Sequence, residues 1–380
     1  MIHIRFALIL LLAGCGPVPP KPDAPAPPRP AETVRYQQSP FSALPGWAGA
    51  SLAPSLRAFQ TGCRRPPLAR ICEAALAIEA GDEAAARHFF ETNFVAYALI
   101  SPDTGDSGMI TGYYEPVISG SRRQSAVHRY PIFGVPEDLI VVELAATHPE
   151  VRSLRLRGRL EGRRLVPYYS RAEIDARGAG FAAPAIAWTA DPVELFFLQI
   201  QGSGQIDLGN GERLRIGFAD VNGHPFRSLG RYLVERGEMT LEQASMQSIK
   251  AWAAANPRKL QQALNANPNY VFFRELALSP GEGPIGALGV PLSAQYSLAV
   301  DRRFVPLGAP VYLATTRPLS SEPLERLMAA HDTGGAIRGG VRADFFWGTG
   351  AEAGALAGRM RQQGRLWLLW PKGEPLPEGG

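Results

Sequence analysis

A mainly β fold with some helices, divided into two domains, is what this chain predicts, on three observations. Forty Gly and 34 Pro in a sequence that is not low-complexity call for many turns. Between about Ser119 and Ile216 the apolar segments are short, β-like and separated by turns, which marks off a β-rich middle. At 380 residues and 46% hydrophobic content the chain can bury one large core or two modest ones, and two is the default at that length. The formal charge of +4 is spread without long Lys/Arg blocks, which argues against nucleic-acid binding.

The first residues form a targeting segment and stand outside the fold. Arg5 supplies the positive region and Phe6 to Leu12 an apolar core too short to span a bilayer as a helix. Leu12-Ala13-Gly14-Cys15 resembles the lipobox of bacterial lipoproteins, in which cleavage leaves the Cys as a new N-terminus with lipid on its sulfur and its amine. Several acyl chains anchor stably where one alone binds marginally. Gly16, rather than Asp, after Cys15 favours the outer membrane in the sorting pattern of Gram-negative lipoproteins. An ordinary secretory signal with an incidental Cys is the other reading. Pro17 to Pro30 is Pro-rich, an extended tether without a packed core. Cys63 and Cys72 flank Arg64-Arg65-Pro66-Pro67 in a compartment where disulfides persist; a local bridge and two buried thiols both stay open.

From Pro66 to Phe90 the spacing of Leu68, Ile71, Cys72, Ala75, Leu76 and Ile78 is helical, with Gly81-Asp82 as a break before a second short helix. Ile110 to Pro116 reads as a strand; Tyr113 and Tyr114 beside Gly112 offer flat faces and hydroxyls suited to sugar rings, or serve as cross-strand partners. Glu115, before Pro116, reads as a solvated strand end or a catalytic acid. Ser170 with Glu173 three residues on begins a short helix after a second Tyr pair, Tyr168-Tyr169. Asp191 to Gly204 ends an apolar run with Gln199, Gln201, Gly202 and Ser203; the Gln side chains both donate and accept, which suits sugar hydroxyls and N-acetyl groups or a sheet edge. Helices return at Arg227 to Arg236 and after Thr240, whose Gln243 makes a capping box for a helix ending near Asn256-Pro257. Tyr270 to Phe273 is a buried strand by composition. Apolar runs follow at 290–292, 298–302 and 310–314, then a short helix from Glu352 to Gln363 and a strand from Leu366 to Trp370. Asp301 lies on a strand just before Pro306-Leu307-Gly308.

The richest stretch runs from Ala329 to Gly350. Asp332 follows apolar residues and opens a Gly-rich turn, and Asp344 sits between Val341 and Phe345-Phe346-Trp347, a strand-turn-strand pattern. The glycines, Gly335 among them, let a polymer approach the backbone closely. Large aromatics beside Asp344 desolvate it, which raises its pKa and keeps a proton on it for donation. The plain alternative is a solvated Asp on an Asx-type turn.

Asp301 with Val305-Pro306-Leu307-Gly308, Asp332-Thr333-Gly334-Gly335-Ala336-Ile337-Arg338-Gly339 and Asp344 together resemble the three-aspartate module of the lytic murein transglycosylase A family. Thr111-Gly112-Tyr113-Tyr114, Phe197 to Gly204, Asn222 to Ser228 and Ser245-Met246-Gln247 are similar to that family too, in the right order and over most of the chain after the tether. The resemblance implies a double-psi β-barrel with helices, interrupted by a smaller β-barrel domain, with a glycan groove between them. It divides the chain into a signal peptide at 1–14, the lipidated Cys15 and tether at 15–45, the main barrel at 46–117 and 236–380, and the inserted domain at 118–235.

It further implies cleavage of the β-1,4 bond between N-acetylmuramic acid and N-acetylglucosamine in peptidoglycan without water, leaving a 1,6-anhydro end. Asp344 would be the single acid/base, Asp332 its supporting carboxylate, and Asp301 a holder of the barrel turn. Thr111, Gly112, Tyr113, Tyr114, Tyr169, Ser170, Gln199, Gln201, Gly202, Ser203 and Gly335 would bind substrate. No metal or cofactor is implied. The expected partners are glycan strands, the outer membrane through the lipid anchor, and cell-wall synthesis complexes, for a monomer facing the periplasm. Three alternatives stand beside this. Asp332 and Asp344 suit an inverting endo-hydrolase. Asp103-Thr104-Gly105 repeats Asp332-Thr333-Gly334, the triplet of aspartic peptidases. The chain could also bind glycan as a lipoprotein without cutting it.

Overall fold

The computed structural model describes residues 33–378 except 145, 149–155, 210 and 278–280. The signal segment, Cys15 and the tether to residue 32 lie outside the described residues.

An edge strand β1 (Arg35–Ser39) opens the fold and is followed by three helices, α1 (Ala53–Gly62), α2 (Ala69–Leu76) and α3 (Glu83–Asn93). Asp82 caps α3 by accepting from Ala85 N at 2.8 Å, as the Gly81-Asp82 break predicts. The Glu83 carboxylate reaches back to the free N–H groups of Leu52 and Ala53 at the start of α1, so one acid serves two helix N-termini. Of the two states open for Cys63 and Cys72, the structure has the bridge: they are disulfide-bonded, Cα–Cα 5.3 Å, and tie α1 to α2. Phe59, Phe89, Phe90 and Phe94 pack edge-on in the core between these helices and the outer barrel face, which supplies Tyr312, Leu327, Trp367 and Leu369.

Next come β2 (Phe94–Ile100) and β3 (Gly108–Glu115), after which the chain leaves for a second sheet. That sheet comprises β4 (Val117–Ser121), β5 (Tyr130–Phe133), β9 (Ala185–Thr189), β10 (Ser203–Gly209), β11 (Glu212–Val221) and β12 (Val271–Glu275), in the order β12-β11-β10-β4-β9-β5. A bridge between Gly134 and Phe273 brings its two edges together. A small meander, β6 (Ile140–Val141), β7 (Arg157–Glu161) and β8 (Arg164–Pro167), and the helix α4 (Arg171–Arg177) sit within it. The expected inserted domain, 118–235, stops short: β12 falls within the 236–380 range assigned to the main barrel, yet pairs with β11 from Ile216↔Glu275 to Val221↔Val271. The run from Asp191 is a helix, α5 (Pro192–Gln201), and not a sheet edge, because Asp191 caps it with bonds from Val193 N and Glu194 N, Pro192 fits its first turn and Gly202 ends it at φ 77°.

Helices α6 (Leu229–Glu235), α7 (Met246–Ala255) and α8 (Pro257–Asn265) pack on α5 through Phe196, Phe197, Leu233, Ile249 and Trp252. The Thr240–Gln243 box forms reciprocally, but closes a turn; Ser245 caps α7 instead.

The chain then returns for β13 (Ser297–Val300), β14 (Pro310–Thr316), β15 (Pro323–Asp332), β16 (Ala343–Thr349), α9 (Ala351–Ala357) and β17 (Arg361–Pro371). The helix expected from Glu352 to Gln363 ends at Ala357, because Arg361 to Gly364 are taken up in pairing with β3. That pairing closes a ring, β3-β16-β13-β15-β14-β17, while β2 and β1 continue the sheet outward from β17. Two neighbour pairs, β3 with β16 and β13 with β15, are parallel. Leu298, Val311, Leu313, Met328, Phe345, Leu366 and Leu368 fill the interior. The fold is the mainly β, two-part architecture expected from the sequence.

Candidate active site

Asp332 ends β15 and Asp344 is the second residue of β16, but these strands do not pair with each other. β13 runs between them, and its Ala299 stands in register with Asp332 on one side and Asp344 on the other. Asp344 is also in register with Thr111 of β3, and Thr111 with Arg361 of β17. The row Asp332, Ala299, Asp344, Thr111 therefore crosses four strands, and only the small side chain of the buried Ala299 stands in register between the two acids.

Thr111 Oγ1 donates to Asp344 Oδ1 at 2.7 Å and accepts from Arg342 Nη2 at 2.9 Å. Burial raises the pKa of Asp344, while the Thr111 hydroxyl and the Arg342 charge pull it down. Asp332 Oδ1 accepts from Ala287 N and Thr333 N, both at 2.9 Å. Burial nevertheless pushes its pKa up to about 6, with the neighbouring Asp344 charge adding to the rise. The buried Tyr113 hydroxyl lies against both carboxylates without a hydrogen bond of good geometry, and its own pKa is driven well up by burial and then by the two acids. Such a cluster can hold one proton between two acids and deliver it. Among the described residues no group of His, Cys, Asp and Glu is placed to hold a metal ion.

Of the other residues singled out in the sequence, Thr111 and Tyr113 join the acids, and Gly335 is exposed on the turn after β15. Gly112 packs the barrel: a Cβ there would stand 2.7 Å from Trp347 Nε1. Tyr114 alternates into the core and its N–H donates to Gln201 Oε1 at 3.1 Å. Gln199 is buried and Gly202 is the cap of α5, with Ser203 opening β10, so this segment builds structure. Tyr169 carries the guanidinium groups of Arg159 and Arg177 over its ring at 4.2 and 4.0 Å, and Ser170 caps α4 with Glu173. Asp301 accepts from Arg303 and from Gly339 N, holding the turn after β13. Asp103 lies in an exposed turn closed by Ser101 and Gly105, away from any buried acid partner of the peptidase kind.

Glu115 is not a solvated strand end. It is buried, accepting from Gln205 Nε2 at 2.8 Å, Thr349 Oγ1 at 2.7 Å and Arg215 Nη2 at 3.3 Å, and so joins β3, the inserted sheet and β16. Arg342 went unread in the sequence; its position two residues before Asp344, the period of one strand face, was the available signal. A cavity of about 840 Å³ adjoins the row, lined by Gln205, Arg213 and Arg215 from the inserted sheet, Glu282 and Leu292 before β13, and Phe346 of β16.

Residues 109–274 match the MltA specific insert domain and residues 296–370 the 3D domain. Membrane-bound lytic murein transglycosylase A of Escherichia coli K12 is 34% identical over 281 residues, 72% of this chain and 68% of that protein. Its namesake in Vibrio cholerae is 29% identical over 306 residues, 78% of this chain and 74% of the other. Among solved structures, MltA from Neisseria gonorrhoeae superposes with a TM-score of 0.80 at 39% identity, covering 93% of this chain and 98% of that one. Escherichia coli MltA with bound chitohexaose gives 0.67 at 27% identity, over 90% and 96%.

Proposed function

This chain belongs to the membrane-bound lytic murein transglycosylase A family, and from that membership we propose how its carboxylates divide the work. The protein is a peptidoglycan lytic transglycosylase, a lyase of the cell wall. Protonated Asp344 donates to the glycosidic oxygen as the bond to C1 of N-acetylmuramic acid breaks. The resulting carboxylate takes the proton of the C6 hydroxyl as that oxygen attacks C1, closing the 1,6-anhydro ring and restoring the acid. No water enters. Asp332 balances positive charge at C1 in the oxocarbenium-like transition state, and Tyr113 shields the pair.

The observation that carries this reading is the register of Asp332 and Asp344 on either side of Ala299, with Asp344 alone held by Thr111 and Arg342. The Thr111 hydroxyl, steered by Arg342, selects the Asp344 oxygen that keeps its lone pairs and leaves the other to the glycan.

The protein associates with a membrane, and the Leu12-Ala13-Gly14-Cys15 sequence supports an outer-membrane lipoprotein anchored through Cys15. Among the described residues no helix is long and apolar enough to cross a membrane. A lipid anchor on a Pro-rich tether would present the groove to glycan strands.

The test is to incubate the full-length protein in detergent with purified peptidoglycan and weigh the released muropeptides, with Asp344→Ala in parallel. Anhydro products that vanish in the variant are the expected result. Products heavier by one water would mean a two-carboxylate hydrolase, and intact glycan a binding protein.

A further inference from the structure

The cavity beside the acid row carries charge that cleavage of a neutral sugar chain does not use. Phe346 lines it, two positions past Asp344 on the same strand face, and packs 5.1 Å from the Tyr113 ring, so a substituent of the sugar at Asp344 lies within reach of the cavity. Arg215 is committed to Glu115 and to the Glu282 carbonyl. Arg213 is different: its side chain is exposed at the cavity and is steadied by the neutral Gln205 Oε1 at 3.1 Å, which is itself fixed through Glu115. An amide partner orients a guanidinium without neutralising it. The exposed Glu282 lines the same cavity.

In peptidoglycan the ionised groups sit on the stem peptides, which hang from the lactyl group of muramic acid and carry carboxylates and an ammonium. We propose that the cavity seats the stem peptide of the muramic acid being cut, with Arg213 binding a peptide carboxylate through its paired N–H groups. This rests on the transglycosylase reading.

The experiment titrates the full-length protein with an anhydro-disaccharide tetrapeptide and with the same compound after its carboxylates are converted to amides. Arg213→Gln and amidation are each expected to weaken binding about tenfold, and the two together no more than either alone. Equal binding of both ligands by the unaltered protein, or equal weakening of both by Arg213→Gln, would overturn the proposal. Release of anhydro products from intact peptidoglycan by the unaltered protein, measured alongside, reports on the transglycosylase reading by itself.

Discussion

Asp332 is held at a cost that its neighbours do not remove. Two main-chain N–H groups stabilise its charge, yet burial leaves its pKa at about 6. A carboxyl pKa raised on folding means that the native state still binds a proton where the unfolded chain has lost it. Stability therefore falls as pH rises from the ordinary Asp range to about 6, and is level above. Asp332→Asn keeps an oxygen for Ala287 and Thr333, and is expected to raise the unfolding free energy at pH 7 by roughly 2 kcal/mol while losing turnover. Urea titrations check this; a gain of the same size at pH 3, where both states are protonated, would rule out the electrostatic cause. At Asp344 burial raises the pKa as well, but here a side-chain hydroxyl and a guanidinium pull against it. Thr111→Val or Arg342→Gln removes what holds its pKa down, so the alkaline limb of the kcat/KM profile, which reports loss of the acid's proton, is expected to move to higher pH. The glycines and aromatics around both aspartates singled them out in the sequence, and the structure sets the two in one row. The Thr111–Arg342 support was not legible there, because that bond joins positions 231 residues apart.

At the scale of elements, β3 serves the acids with one face and the core with the other. Gly112→Ala would put a methyl group 2.7 Å from Trp347 Nε1 and 2.9 Å from Ala357 Cα, neither of which can yield easily, and is expected to cost about 1–3 kcal/mol. Gly335→Ala meets nothing within 4 Å and should change stability by less than about 0.5 kcal/mol. Thermal melts of the two variants separate a packing glycine from a loop glycine. The sequence put both in the substrate site, since a glycine is silent about which neighbour demands its smallness. Local signals gave α3 and α4 directly, through Asp82 and the Ser170–Glu173 box. Helix α5 hid behind its Gln and Gly residues, although Asp191-Pro192 had already announced a helix start.

For the whole molecule, β17 is the closing piece. It pairs with β2, β14 and β3, and only the last of these completes the ring. Removing residues 361–378 is expected to abolish cooperative unfolding and leave β3 and β14 open to protease, where a mere loss of activity with a sharp melt would contradict this account of closure. The ring could be inferred only from family resemblance, because no local pattern says that a strand near residue 110 will lie against strands beyond residue 340. The two acids, too, depend on that distant return. They belong to strands that do not pair with each other, and a third strand must lie between them in a single register to bring them abreast. A shift of one residue would turn one acid away from the other. The proposed acid pair is thus a product of assembly: in an extended chain its members lie far from their partners, and they come together only where the barrel closes.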